Sequence, residues 1–177
     1  MTEPDAPSIP IITSTADFYV QALAIEMEAA ERYTLLAEQM EVHNNRAIAD
    51  IFRKMAEIEE KHRDAIAQKA GGALAAGLPA SFSWIRPDGP EAMDFRHLHY
   101  LMTPYHALML ARHNEERAVE FFEAIEQSTA DPEIKAAAAE MAAEERRHVA
   151  WVDEWLTQYP PPPAGWDDDP DPPRNLD

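Results

Sequence analysis

Glu59 and His62 stand three residues apart, and the same pair recurs as Glu145 and His148. Glu26 precedes the first pair and Glu115 the second, so the chain reads Glu, Glu-x-x-His, Glu, Glu-x-x-His. Carboxylate oxygens and imidazole nitrogens are ligands for first-row divalent cations. A spacing of three places Glu and His about 5–6 Å apart on one face of a helix, where both can grip one cation from the same side. Four carboxylates with two neutral imidazoles carry four negative charges, which two divalent cations would cancel.

The segments around these residues look like copies of one another. Ile25-Glu26-Met27-Glu28-Ala29-Ala30-Glu31-Arg32-Tyr33 aligns with Asn114-Glu115-Glu116-Arg117-Ala118-Val119-Glu120-Phe121-Phe122. Met55-Ala56-Glu57-Ile58-Glu59-Glu60-Lys61-His62 aligns with Met141-Ala142-Ala143-Glu144-Glu145-Arg146-Arg147-His148. One Glu-x-x-His in a glutamate-rich chain carries little weight, but two in matching repeats carry a good deal.

Four helices are needed to position such a set. Ser14 or Thr15, followed by Asp17, starts a helix running to about Met40, with Phe18, Ala22, Ile25, Ala29, Tyr33, Leu36 and Met40 on one stripe. Residues 42–45 make a turn. The second helix carries Ile48, Ile51, Phe52, Met55, Ile58 and Ile66 and stops at Gly71-Gly72. Residues 73–102, with two glycines and three prolines, form a long connection able to cross the bundle end to end, with a short helix near 94–102. Thr103-Pro104 and Asp131-Pro132-Glu133 open the third and fourth helices, and the run Pro160–Pro163 ends the last. The third helix carries Leu108, Ala111, Ala118, Phe122 and Ile125, the fourth Ile134, Ala138, Met141, Val152 and Trp155.

The six candidate ligands sit on or beside these apolar stripes. A lone buried carboxylate costs several kcal/mol unless it is protonated or paired, and four together raise one another's pKa. Helices joined by turns near residues 43 and 130 bring all six to one level, about 15–20 Å from the helix ends. Ligation dominated by carboxylate with some imidazole suits iron or manganese better than copper or structural zinc. A carboxylate-bridged pair of iron ions is the natural reading, with manganese as the alternative.

Composition narrows the field further. The chain has 177 residues, no cysteine and a formal net charge of −18. That length fits one domain with a substantial core. The charge argues against nucleic acid or an anionic membrane as partner and favours attraction of cations. Without cysteine there is no disulfide, iron–sulfur cluster or Cys₄ iron site. No basic and apolar leader and no spanning segment of about 20 apolar residues is present, so a cytoplasmic location is expected. The expected organisation is a flexible arm over 1–13, a four-helix domain over 14–158 and an acidic, proline-rich disordered tail over 159–177.

From about Asp17 to Gln158 the chain resembles the ferritin-like di-iron carboxylate superfamily, and most of all its rubrerythrin-type domains. The resemblance rests on Glu26 with Tyr33, Glu59-x-x-His62, Glu115 with Phe122, and Glu145-x-x-His148. It implies an all-α, ferritin-like four-helix bundle with a long crossover between the second and third helices. It implies that Glu59 and Glu145 bridge two metals, with Glu26 and His62 completing one sphere and Glu115 and His148 the other. Tyr33 would hydrogen-bond a ligand carboxylate. The implied activity is that of a non-haem di-iron oxidoreductase, oxidising Fe²⁺ with O₂ or hydrogen peroxide, in a homo-oligomer such as a dimer. Storage or delivery of iron, and hydroxylation of an organic substrate, are the alternatives.

Ala118 stands where peroxidase-type rubrerythrins carry a further Glu, and Phe122 stands where a second tyrosine would be. With no cysteine there is no fused rubredoxin, so turnover would need a separate electron donor. Glu28, Glu31, Glu57, Glu60, Glu116, Glu120 and Glu144 read as a solvated face. Trp84, Trp151 and Trp155 read as core or subunit-contact residues, and His99, His106 and His113 as a packed or half-exposed seam.

Overall fold

The computed structural model describes residues 12–71 and 101–167. Four helices account for most of them: α1 (Thr15–Val42), α2 (Arg46–Ala70), α3 (Pro104–Ser128) and α4 (Pro132–Leu156). Each start signal in the sequence has a structural counterpart. The Ser14 hydroxyl accepts the backbone N–H of Asp17 at 3.0 Å. Asp131 accepts from Glu133 and Ile134, with Pro132 in the first turn, satisfying backbone donors that have no partner inside the helix. At Thr103, the backbone N–H donates to His106 Nδ1 at 3.1 Å. Helix α1 runs two residues past the expected Met40, and the turn after it places Asn44 at φ 57°. Gly71 ends α2 at φ 49°, a conformation glycine adopts without strain.

The apolar stripes form two clusters, one toward each end of the bundle. The first gathers Ala29–Met40 of α1, Ile48–Ala56 of α2, Met102 with the start of α3, and Val152 of α4. The second gathers Phe18–Ile25 of α1, Ile66 of α2, Phe122 and Ile125 of α3, and Ile134–Ala142 of α4. Helices α2 and α3 therefore run parallel, as do α1 and α4, with the two sets opposed. Closest packing joins α1 to α2 and α3 to α4, and thinner interfaces join α2 to α3 and α1 to α4.

This order puts Gly71 and Leu101 at opposite ends of a bundle whose 25-residue helices span about 37 Å. That placement of the two described ends is the one a long crossover between α2 and α3 requires. The fold is the all-α, ferritin-like four-helix bundle. The short helix expected near 94–102 falls almost wholly outside the described residues, as do 1–11 and 168–177.

Of the tail expected from residue 159, residues 159–167 are described, and most of them are exposed. Trp166 packs on the first apolar cluster, its ring 3.8 Å from that of His106. An aromatic side chain beyond the proline run supplies the apolar area that the acidic residues lack. Among the described residues, no helix is long and apolar enough to cross a membrane.

Candidate metal centre

The two apolar clusters leave a polar layer between them, and the six Glu and His residues fill it. Glu26 lies one turn from Ala29 of one cluster and next to Ile25 of the other. Glu59, Glu115 and Glu145 occupy the corresponding levels of α2, α3 and α4. Each continues a core stripe, so helical periodicity alone aims it inward. Glu26, Glu59 and Glu145 are 0% exposed and Glu115 1%, while His62 and His148 are also buried.

Three overlapping sets each bring ligand atoms within 4.8 Å of one another: Glu26 with His62 and Glu145, Glu115 with Glu145 and His148, and Glu59 with both histidines. Glu145 belongs to two of these sets, and Glu59 faces both imidazoles. His62 Nδ1 lies 3.2 Å from Glu26 Oε2 and 3.3 Å from Glu145 Oε1. His148 Nδ1 lies 3.2 Å from both Glu115 Oε2 and Glu145 Oε2, and 3.9 Å from Glu59 Oε1. The two rings meet edge to face at 5.1 Å. Tyr33, whose ring packs on Phe52, donates from its hydroxyl to Glu115 Oε1 at 3.1 Å. Phe122, at the matching position of the repeat, offers Glu26 no such donor and packs edge-on against Phe18 in the second cluster.

The electrostatics are unusual for a protein interior. Both oxygens of Glu26, Glu59 and Glu145, and Nδ1 of His62, are buried without a hydrogen-bond partner. Burial, then the charge of Glu145, pushes the Glu26 carboxyl well above its usual range. Burial does the same to Glu59, reinforced by Glu115 and Glu26. Burial also raises Glu145, against the opposing close approach of the His148 ring, 3.2 Å away. For His148 burial disfavours the charged ring, but its bond to Glu115 and the close carboxylate of Glu145 overcome it and push the pKa up to about 11. The cluster thus holds more protons than its members would in water. A buried polar group normally finds a partner, because leaving one unmade costs about 1–3 kcal/mol. Six unpartnered carboxylate oxygens converging on one layer fit a cationic guest far better than a packed core.

Two residues outside the six also lie against the site. Glu144, expected on a solvated face, is 21% exposed and its Oε2 contacts His62 Nε2. Its other oxygen pairs with Arg147 at 3.1 Å. Trp151, expected in the core or at a subunit contact, is 45% exposed and stacks on His148 with ring centroids 5.3 Å apart. Both lie within a turn of His148 on α4, at its upstream and downstream edges, which is the signal that could have found them. Of the histidine seam, His106 caps α3 and His113 is exposed. His99 lies outside the described residues.

A four-helix bundle with paired Glu and Glu-x-x-His ligand positions defines a ferritin-like protein. The family model for rubrerythrin matches residues 17–73, a span that holds Glu26, Glu59 and His62. An uncharacterized conserved protein from Magnetospirillum magnetotacticum MS-1, known from a crystal structure at 2.00 Å, is 42% identical in sequence. The similarity covers 85% of this chain and 99% of that one, with a TM-score of 0.65. No curated protein matches the chain. The chain belongs to the rubrerythrin family of the ferritin-like superfamily.

Proposed function

We propose that the chain is a non-haem di-iron oxidoreductase that oxidises Fe²⁺ with O₂ or hydrogen peroxide, in iron handling or oxidative-stress defence. The observation that carries this reading is the set of buried, unpartnered oxygens on Glu26, Glu59 and Glu145. Glu26, His62 and Glu145 would hold one ion, and Glu115, His148 and Glu145 the other, with Glu59 between the two imidazoles. When bound, a ferrous pair supplies two electrons to one oxidant molecule. The chain's part is to present carboxylates that neutralise two divalent charges and to keep the layer dry between two apolar clusters. Tyr33 holds Glu115 in place and stands within reach as a proton donor.

Ala118, fully buried on α3, contributes no oxygen, so the ligand set is limited to six. That favours oxidation at fixed positions over a mechanism in which a metal shifts between ligands. A separate electron donor would restore the ferrous state, and the chain would act as a homo-oligomer. Manganese is the alternative metal.

Anaerobic titration of the metal-stripped chain with Fe²⁺, followed by O₂ or hydrogen peroxide, tests the proposal. Uptake should break at two ions per chain, and the ferric absorbance should then grow in at a rate set by the oxidant. Glu145→Ala should lose both ions. Absence of stoichiometric uptake refutes the reading. Uptake without oxidation refutes the enzyme and leaves storage or delivery.

A further inference from the structure

The six ligands are nearly symmetric, but the residues behind them are not. His62 turns Nδ1 toward Glu26 and Glu145 and Nε2 toward Glu144. Arg147 holds the second oxygen of Glu144 at 3.1 Å. The result is a chain of three groups, Arg147 to Glu144 to His62, linking the surface of α4 to a ligand on α2. In the repeat, Ile58 occupies the place of Glu144. It is partly buried against the first apolar cluster and offers His148 no acceptor. His148 has the exposed ring of Trp151 against its face instead. The asymmetry runs the other way at the outer carboxylates, where Tyr33 serves Glu115 and Phe122 leaves Glu26 without a counterpart.

We infer that Glu144 is a positioning residue for one half of the centre alone, and that it makes the two metal positions unequal. With a cation on Nδ1, the His62 proton resides on Nε2 and donates to Glu144. This fixes the ring's tautomer and orientation and raises its basicity as a ligand. The position built on Glu26 and His62 depends on that bond. The position built on Glu115 and His148 depends on the Tyr33 hydroxyl. Glu144 is also partly exposed, so the first position has a carboxylate leading to solvent that the second lacks. The two positions accordingly bind with separable affinities, each controlled by its own supporting residue.

This inference rests on the two-metal reading, and its test separates the two. Metal-stripped full-length protein is titrated anaerobically with Co²⁺, a stand-in that needs no oxidant, and followed by calorimetry and by the visible cobalt bands. Wild type should fill two classes of site. Glu144→Ala should weaken one class by about 10–100-fold and leave the other unchanged. Glu144→Gln, which keeps an acceptor oxygen and the side chain's shape, should lose less. Tyr33→Phe should weaken the opposite class. In combination, Glu26→Gln with Glu144→Ala should lose no more than Glu26→Gln alone, while Glu115→Gln with Glu144→Ala should damage both classes. Glu144 isotherms that superimpose on wild type, or that weaken both classes equally, overturn the inference while leaving the two-metal reading intact. No stoichiometric cobalt uptake by wild type overturns both. Circular dichroism of each variant shows that the helices persist.

Discussion

Replacing Glu59 with leucine should make the metal-free protein more stable while destroying its capacity for metal. Glu59 is the best residue for this perturbation because it gives up least. Neither of its oxygens has a hydrogen-bond partner, and its nearest cationic neighbour, His148 Nδ1, is 3.9 Å away. His148 would keep Glu115 and Glu145, both at 3.2 Å. Leucine fills a similar volume on a face already continuous with Met55 and Ile66. Exchanging a whole buried ion pair for apolar groups of similar size is often neutral or stabilises by about 1–4 kcal/mol, and a single carboxylate whose cationic neighbour keeps two other partners falls toward the lower end. In a chain of this length each kcal/mol moves Tm by about 2–4 °C.

The pH dependence has a definite sign. Burial raises the Glu59 pKa above its unfolded value, so the folded state holds the proton longer than the unfolded state does. Wild-type stability therefore falls as pH rises above the unfolded value of about 4.3. The advantage of the leucine variant should be small near pH 4.5 and grow toward pH 8. Adding Fe²⁺ anaerobically, or Co²⁺, should then reverse the order. Wild type would gain about 2.7 kcal/mol from an ion present at 100 times its dissociation constant, and the variant much less. Thermal and urea unfolding, each with and without metal, measures all four states. A metal-free Glu59→Leu protein that is less stable than wild type at pH 8 would refute the reasoning, because Glu59 would then be a satisfied structural residue.

Two further outcomes follow from the same geometry. Metal binding at neutral pH should release protons, since Glu26, Glu59, Glu145 and His148 all hold them more tightly than in water; calorimetry in buffers of different ionisation enthalpy reads the number, and a buffer-independent heat would contradict the pKa directions. Trp166→Ala should free residues 159–167 from the bundle and let the His106 pKa, now lowered chiefly by burial, rise toward its ordinary value of about 6.5, as an NMR titration of the imidazole would show; an unchanged His106 titration would mean that Trp166 does not bury it.

The sequence by itself determined the helices and the level of the site. Helical periods of three and four fix which side of α1 carries Phe18, Ile25 and Tyr33, and the caps at Ser14, Thr103 and Asp131 fix where three of the helices begin. Those are local properties, set by backbone geometry and by donors that need partners within a few residues. Placing Glu26, Glu59, Glu115 and Glu145 on such stripes was enough to expect them together, because antiparallel hairpins of known length bring known levels face to face.

Tertiary structure decided what lies behind the ligands. Glu144 looks solvated on its own helix, because only the approach of α2 brings His62 Nε2 to it. Trp151 likewise gains its role from the rotamer of His148, and Trp166 from the surface of a helix some 60 residues earlier in the chain, a contact beyond any local period. Which way an imidazole turns, and which carboxylate receives its second nitrogen, depends on side-chain packing between helices. A one-dimensional pattern records the face of a helix but not the neighbour that face will meet.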